Sequence, residues 1–509
     1  MKTYIILLLS AIAAYLYLNL FLLPGTPILL DGDQVYFWTN GQRLLSGELP
    51  YRDFYQYTPP GTDFFFWAAF RTFGTRIWVL NGSVLLLGVA LSSVCYDIAR
   101  KVVTPKLAIL APLVFVTLIY SGLLNGTHHW FSVLGIMCAL TTLVPEASPG
   151  RLFTAGVLLG IASFFTHTHG VIALLAISVF LKVGIDPNQS WRSFWRMERL
   201  LLAGFALVLL PVSVYFVATV GWKDLLYMQG FCVLATISKP RTPWLGMPGF
   251  EPMPGVPLWL AVLNICQYIS VYTLLPVTYF LVGRRVLGKS YGPASHPPAV
   301  ALLGIVGTFL LLETLLSLNW LRLYAVALPG IVLFTWLIST SPRLRPYAVG
   351  FISLAFLSLA VQRVWWTQHQ DYAQADLPAG WCAMDHPRYD EFSWLMQHTK
   401  AGDFLFDANW PGLYVPLHLR NPVFLDTASS MLNPLWANKA VQQLNAKRVR
   451  YVIWEPRLNY PVDPRHDWTS HIVPLRNYLR ASYQRTKVFP NGEELWERKE
   501  FSDFSIAHR

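Results

Sequence analysis

Charged side chains are scarce in this chain. Asp, Glu, Lys and Arg together make up 13% of its 509 residues, against roughly a quarter in an ordinary soluble domain. Hydrophobic residues make up 54% and gather in long runs. This pattern excludes an ordinary soluble protein and predicts an α-helical polytopic membrane protein. Membrane lipid is therefore an expected partner.

Acidic residues are fewer than basic ones, and the net charge is +11. The Lys and Arg residues lie mainly in short segments between apolar runs, as the positive-inside rule expects of cytoplasmic loops. They do not form the basic patch that nucleic-acid binding needs. The sequence therefore predicts no nucleic-acid partner.

Cysteine is also rare, with five residues and no CxxC pair, so neither a zinc cluster nor a redox motif is indicated. A disulfide between Cys232 and Cys382 is one interpretation, but the spacing does not support it. Ordinary unpaired thiols are favoured instead. The chain has no nucleotide-binding motif, internal repeat or low-complexity tract.

A helix that crosses about 30 Å of hydrocarbon needs roughly twenty apolar residues. Lys and Arg concentrate on alternate connections, which predicts a cytoplasmic N-terminus and an outer C-terminus. No small-x-small cleavage signal follows the first apolar run, so this run is read as an uncleaved span. The eleven predicted spans are 4–23, 77–96, 107–123, 130–144, 152–166, 170–184, 200–220, 258–282, 299–318, 323–339 and 347–365.

Two predicted outer loops are too long to be simple connections. The first, 24–76, contains two amphipathic surface helices, over 33–46 and 61–73, which Pro59-Pro60-Gly61 separates. The second, 221–257, is rich in Gly and Pro and is predicted to be irregular.

The composition becomes that of a soluble domain after about residue 366. Residues 1–365 are thus predicted to be a transmembrane domain and 366–509 a small extracytoplasmic α/β domain. In the latter, the pattern predicts helices over 390–398 and 439–446, strands over 404–406 and 449–454, and a hairpin across Asn491-Gly492.

Two acids, Asp31 and Asp33, follow the first apolar run, with Gly32 between them. A carboxylate beside apolar surface can have its pKa raised toward the range useful to a general base. The structural alternative is that Asp33 caps the helix predicted to follow it. Both readings stand at this point.

Basic and histidine side chains in outer segments are candidates for substrate binding. Arg322 lies near Asn319 and between two apolar spans. A guanidinium at such a position normally has an anionic partner, such as phosphate. The alternative is an arginine that reaches lipid headgroups. His128 and His129 line a short outer turn, as polar lining of a cavity or as metal ligands. The other candidates are Arg52, Lys239 and Arg241.

The segment from Asp33 to Gly61 resembles a known family. Asp33-Gln34-Val35-Tyr36, then 43–54 (RLLSGELPYRDF), then Thr58-Pro59-Pro60-Gly61 resemble the first external loop of bacterial GT-C glycosyltransferases, relatives of protein O-mannosyltransferases and of the lipid A aminoarabinose transferase. Weaker similarity lies at 128–131 and 319–329. Gln34 departs from the family's usual Glu, and Asp31 is an additional acid.

The resemblance implies a function. The donor would be a sugar on a polyprenyl phosphate, and Asp33 would be the base that deprotonates an acceptor hydroxyl, with inversion at the anomeric carbon. Arg322, with Arg52, Lys239 and Arg241 behind it, would stabilise the departing phosphate. No cofactor and no metal ligands are predicted, although a divalent cation is left open. The acceptor, whether lipid, glycan or protein, is not identified. The location would be the bacterial inner membrane, with the active site extracytoplasmic.

A transporter or flippase of lipid-linked sugars is the alternative from another class. It would also need a polar cavity and outer cations, and it should carry ionisable residues near the middle of its spans. In this sequence Glu313 is the main residue of that kind.

Overall fold

The computed structural model describes residues 2–184, 190–231, 258–287, 297–315, 320–343, 345–430, 433–459 and 468–501. Helices dominate the apolar part of the chain and overlap each of the predicted spans, although several bounds differ from the predicted ones. They are Lys2–Leu20, Ile77–Val102, Pro105–Ala108, Leu110–Val114, His128–Leu143, Pro149–Phe165, His167–Val179, Trp191–Val220, Leu258–Leu287, Pro297–Leu315, Trp320–Ala325, Ala327–Ser339 and Arg345–His369.

Five of these helical stretches are long and apolar enough to cross a membrane. They are Ile77–Val102, Pro105–Gly122, Trp191–Val220, Pro298–Leu315 and Arg345–His369. Five shorter apolar helices accompany them, at Tyr4–Leu20, His128–Leu143, Pro149–Phe165, His167–Val183 and Ala327–Ser339. The total of eleven spans and their orientation stay predictions.

Local sequence explains several helix ends. Thr104 and Ser148 precede helices that carry Pro at the first position, where the missing N–H of Pro costs nothing and its fixed φ suits the helix. The first helix ends at Leu20, not at residue 23 as predicted. Phe21–Leu22 (β1) instead pairs antiparallel with Thr26–Pro27 (β2). The helix does not continue to residue 23 because Leu23 precedes Pro24, and a residue before proline disfavours helical backbone.

Close contacts divide the chain into two compact units. The first, called the membrane unit below, comprises Met1–Leu20, Val84–Tyr215 and Arg241–Gln368. The second, called the loop unit, comprises Phe21–Ser83, Phe216–Pro240 and His369–Arg509. This grouping crosses the linear division into 1–365 and 366–509, which stays a prediction.

In the loop unit, the two predicted surface helices are present as Gln34–Leu45, the first loop helix, and Gly61–Phe73, the second loop helix. They pack against each other around Trp38, Phe66 and Phe70. Gly41 permits this approach, because a Cβ there would lie 2.9 Å from Cβ of Phe66. The segment 222–231, predicted to be irregular, is helical instead. Residues 232–257 lie outside the described residues.

The C-terminal part of the loop unit contains two sheets. Ala373–Leu377 (β3) and Gly380–Met384 (β4) form an antiparallel hairpin. Leu405–Asp407 (β5), Tyr451–Trp454 (β6), Tyr483–Val488 (β7) and Glu494–Arg498 (β8) form a four-stranded sheet in the order β5-β6-β8-β7. β5 and β6 are parallel, and the other pairs are antiparallel. The helices are His386–His398, Tyr414–Leu417, Pro434–Ala446, Trp468–His471 and Val473–Ser482.

The core beneath these sheets is shared between distant segments. Leu29 and Ile77, from the first loop and its end, are buried in one cluster with Cys382, Leu395 and Ile453. Backbone bonds support this packing, from Leu29 N to the Ala383 carbonyl at 2.8 Å and from Ile77 N to the Ala379 carbonyl at 3.0 Å. Cys382 is a buried free thiol.

Candidate active site

Asp33 stands at the N-cap position of the first loop helix. Its backbone is already helical, with φ −52° and ψ −19°, and its side chain makes no capping hydrogen bond. The side chain is exposed. The Asp33 side chain therefore does not cap this helix, although the sequence allowed that role. An ionised carboxylate at such an exposed position can accept a hydrogen bond from the hydroxyl of a substrate.

Tyr36 lies beside Asp33 on the first turn of the same helix. Burial raises the pKa of Tyr36 well above its usual value, and the negative charges of Tyr57, Asp426 and Asp33 add to the effect. A side-chain hydrogen bond with Thr427 opposes this shift.

Asp31 is held by partners from the C-terminal part of the loop unit. Its Oδ1 accepts hydrogen bonds from the Gly32 amide and from Trp410 Nε1, each at 2.8 Å. Its Oδ2 lies 2.9 Å from Nη2 of Arg388. Both oxygens of Asp31 are therefore engaged by donors within the loop unit.

The Arg43 side chain organises the loop between the two loop helices. It is 7% exposed, and its guanidinium donates to Glu48 Oε2 at 2.7 Å and to the carbonyls of Val423 and Asp53 at 3.1 and 3.2 Å. Asp426 Oδ1 lies 3.7 Å away. The rigid donor fork of arginine suits such simultaneous contacts. The Arg43 position of the motif is thus a structural anchor.

Other motif residues complete the same loop. Asp53 Oδ2 accepts from the Leu49 amide at 2.8 Å, and the Tyr51 hydroxyl donates to the Thr58 carbonyl at 2.7 Å. Hydrogen bonds from Arg52 and the Leu49 amide, with the Arg52 and Arg43 charges, hold the Asp53 pKa below its usual value although partial burial opposes them. Arg52 pairs with Asp53 at 2.7 Å, and their side chains are 50% and 33% exposed.

A buried carboxyl, Asp63, joins the two loop helices. It is fully buried and accepts from Gln56 Nε2 at 2.6 Å and from Asn40 Nδ2 at 3.3 Å. Burial raises the pKa of Asp63 well above its usual value, although the two amides oppose the shift. No sequence motif pointed to Asp63. Its position three residues into an apolar helix was the available signal.

The membrane unit holds a histidine cluster. The rings of His128 and His129 lie 4.0 Å apart, and those of His129 and His169 lie 5.2 Å apart. Ser132 Oγ lies 2.7 Å from His169 Nδ1, and His169 Nε2 lies 3.6 Å from Glu313 Oε2. The structure thus brings together two turns, around 128 and 169, that are far apart in the sequence.

Arg322 belongs to the same unit, on the short helix Trp320–Ala325, which packs against His128–Leu143 and Pro297–Leu315. Its side chain is half-buried, and its charge acts on His128, His129 and His169. Lys239, Arg241 and Asn319 lie outside the described residues.

Comparison with solved structures identifies the fold of this chain. No family model and no curated protein sequence matches the chain. ArnT from Cupriavidus metallidurans bound to undecaprenyl phosphate is similar, with a TM-score of 0.63 and 13% identity over 97% of this chain and 98% of that chain. Its apo state gives a TM-score of 0.61 at 12% identity over 97% and 98% of the two chains.

A second solved protein shares the architecture. The oligosaccharyltransferase AglB from Archaeoglobus fulgidus, in complex with an inhibitory peptide and a dolichol-phosphate, has a TM-score of 0.56 and 14% identity over 98% of this chain and 75% of that chain. The chain has the GT-C fold. At 12–14% identity, these similarities show the fold that the resemblance implied.

Proposed function

We propose that this GT-C protein transfers a sugar from a polyprenyl-phosphate donor to an acceptor hydroxyl, with Asp33 as general base. The observation that supports it best is the exposed carboxylate of Asp33, which does not cap its helix, at the position where the motif of the first loop places the acid. The two similar proteins, whose structures contain undecaprenyl phosphate and a dolichol-phosphate, support the class of donor.

The reaction follows from this assignment. A carboxylate oxygen of Asp33 takes the proton of the acceptor hydroxyl while that oxygen bonds to the anomeric carbon. The bond from this carbon to the phosphate oxygen breaks, and its electron pair leaves with the lipid phosphate. Attack opposite the leaving group inverts the anomeric configuration. We place this reaction at the extracytoplasmic face of a bacterial inner membrane, with the C-terminal domain on the same side.

The lipid phosphate gains negative charge as it leaves, so cations should stabilise it. Arg322 is the described residue that we assign to this role, because a guanidinium can donate two parallel hydrogen bonds to phosphate oxygens. The neighbouring His128 and His129 could donate ring N–H groups to the same anion. Arg52, Lys239, Arg241 and Asn319 are assigned to substrate binding on sequence grounds, and a divalent cation is not assigned.

The test uses purified full-length protein in detergent with a set of polyprenyl-phosphate sugars, and it follows release of the free lipid phosphate. Loss of a general base lowers a rate by about 10²–10⁴-fold, so we expect this loss in kcat for Asp33→Asn. Asp390→Asn, which alters an exposed carboxylate on another helix, is the matched control. Parental turnover by Asp33→Asn would refute the assignment of the base.

One observation favours the transport alternative. Glu313 and His169, an acid and a base on apolar helices, contact each other in the membrane unit, as is common in proton-coupled carriers. Proteoliposomes with a fluorescent lipid-linked sugar distinguish the two functions. Flipping without release of lipid phosphate, sensitive to Glu313→Gln and insensitive to Asp33→Asn, would support the transporter.

A further inference from the structure

A polar pocket of about 700 Å³ lies within the loop unit and shares no residue with the histidine cluster. The segment 28–32, the helix His386–His398, the end of β5 and the turn between β7 and β8 form its walls. A volume of this size accommodates a small organic ligand. Asp31 and Gly32 belong to the wall, and Asp33 is the next residue in the chain.

The lining of the pocket includes the buried carboxyl of Glu391. Glu391 is 3% exposed, and its Oε2 accepts from Asn491 Nδ2 at 3.0 Å. Among the described residues, no N–H group donates to Glu391 Oε1, and the carboxyl of Glu391 is in hydrogen-bond contact with the carboxyl of Glu493. A donor group of a ligand would give this buried oxygen a hydrogen bond, as buried polar atoms in proteins usually have.

Two further carboxyls accompany Glu391. Asp407 is 3% exposed and uses Oδ1 to accept from the amides of Asn409 and Trp410. Glu493 accepts from Asn409 Nδ2 at 2.6 Å and from Asn491 Nδ2 at 2.9 Å. Burial, and then the charge of Glu493, raise the pKa of both Glu391 and Asp407 well above the usual value.

The charges of the lining do not balance. Five carboxyls line the pocket, from Asp31, Asp385, Glu391, Asp407 and Glu493, and among the described residues of this lining Arg388 is the one Lys or Arg. Arg388 is already paired with Asp31 at 2.9 Å. Burial favours the neutral forms of Glu391 and Asp407 in the empty pocket. A positively charged ligand would favour their ionised forms and would be attracted by them.

The polar groups indicate an amine more than a metal ion. No group of three His, Cys, Asp or Glu side chains in the described part of the chain is arranged to hold a metal. An ammonium group needs fewer carboxylates and donates three hydrogen bonds. The amides of Asn409 and Asn491 and the ring of Trp410, in the same lining, suit the hydroxyls and the apolar face of a sugar.

We propose that this pocket binds an amine-bearing sugar unit of the acceptor. That the sugar belongs to an acceptor rests on the proposed transferase function, whereas the binding of an amino sugar rests on the pocket alone. Gly32, with φ +88°, turns the chain between the pocket wall and Asp33. The pocket would thus hold the anchoring sugar while a hydroxyl further along the acceptor reaches the base.

Binding is tested on the full chain in detergent by saturation-transfer NMR with glucosamine, N-acetylglucosamine and glucose. Glucosamine carries the ammonium group, and the other two lack it. We expect a signal for glucosamine that weakens with added salt and, for the neutral sugars, a signal smaller by roughly the tenfold that 1.4 kcal/mol of lost attraction gives. Equal signals for all three sugars would overturn the proposal. The proposal would also fail if MgCl₂ abolished the glucosamine signal while NaCl at the same ionic strength did not.

Variants locate the site. Glu493→Gln removes a charge at a half-buried position, so the protein should fold, and we expect a clear fall in the affinity for glucosamine, on the order of tenfold. Asp390→Asn is the control, since Asp390 is an exposed acid on the helix His386–His398 that does not line the pocket, and it should leave the affinity unchanged. Unchanged affinity in Glu493→Gln would refute the site. The binding assay and the transferase assay can fail separately. If Asp33→Asn lost lipid phosphate release while Glu493→Gln kept its affinity for glucosamine, the proposed function would stand and the proposed pocket would be refuted.

Discussion

Asp31 of the first loop and Arg388 of the helix His386–His398 form an ion pair of 2.9 Å between Oδ2 and Nη2. Trp410 adds a hydrogen bond to the other carboxylate oxygen at 2.8 Å. The pair connects the beginning of the first loop to the C-terminal part of the loop unit. The oxygens of Asp31 accept from three donors in all, so we assign Asp31 to the wall of the pocket and keep Asp33 as the proposed base.

Asp31→Asn should therefore separate binding from chemistry. The side chains of Arg388 and Asp31 are 22% and 53% exposed, so the loss of stability should be at most about 1 kcal/mol. We expect kcat for lipid phosphate release to stay near the parental value and KM for the acceptor to rise. Steady-state kinetics and thermal unfolding measure both. A fall in kcat equal to that of Asp33→Asn would make Asp31 the base.

Arg43→Met should destabilise the protein strongly. Removal of the guanidinium leaves the buried Asp426 carboxyl and two carbonyls without their cation, and breaking a buried pair costs roughly 3–5 kcal/mol. The control is Arg52→Met, whose pair with Asp53 is exposed and is worth about 0–1 kcal/mol. Thermal unfolding in detergent compares the two. Equal shifts in Tm would contradict the anchoring role of Arg43.

Gly47→Ala should destabilise through the backbone alone. Gly47 has φ +82°, and a Cβ added there would meet no atom within 4 Å, so the cost is the left-handed conformation, about 1–2 kcal/mol. Gly150→Ala is the matched control, since Gly150 also has open space but no positive φ. Replacement of Gly150 should leave the Tm unchanged or raise it. If both variants behaved alike, the backbone of Gly47 would not be the cause.

Stability should fall as pH rises because of Asp426. Burial raises the pKa of this carboxyl to about 7, although the Arg43 charge opposes the shift. The folded state then binds more protons than the unfolded state between about pH 4 and 7, so the stabilisation is complete below that window and is lost as pH rises through it. The loss is about 1.4 kcal/mol per pH unit.

Asp426→Asn tests this dependence, because an amide cannot titrate. We expect Tm values measured across that pH window to decline less steeply in the variant than in the parent. A matched substitution of an exposed acid, Asp390→Asn, should keep the parental slope. Parallel slopes for the parent and Asp426→Asn would assign the pH dependence to other groups.

Periodicity and composition predicted most of the fold, because long apolar runs and the Pro59-Pro60-Gly61 break are signals contained in adjacent residues. The two loop helices, strand 451–454 and the hairpin across Gly492 lie where the patterns place them. The β3–β4 hairpin was missed because Pro378-Ala379-Gly380 is a weaker turn signal than Asn-Gly. The parallel pairing of β5 with β6 was missed because it joins distant segments.

The site was predicted unevenly for a related reason. Asp33 and Asp31 stand out because they follow an apolar run, and that signal is contained in a few adjacent residues. Glu391, Asp407 and Glu493 lie in an ordinary polar sequence, and their charges converge only after the C-terminal part folds. Arg43 belongs to a recognisable motif, but its anchoring contacts with Val423 and Asp426 could not be inferred from spacing.

The core shared by Leu29, Ile77 and the C-terminal helices has a practical consequence. A fragment that begins after residue 365 would leave behind two of its own interior side chains and the backbone donors at Leu29 and Ile77. Secreting that fragment alone, for immunisation or crystallisation, would yield a molecule with an open apolar cleft. Tethering the first loop to it, by a flexible linker from residue 83 to residue 369, is the rational starting point for a soluble version.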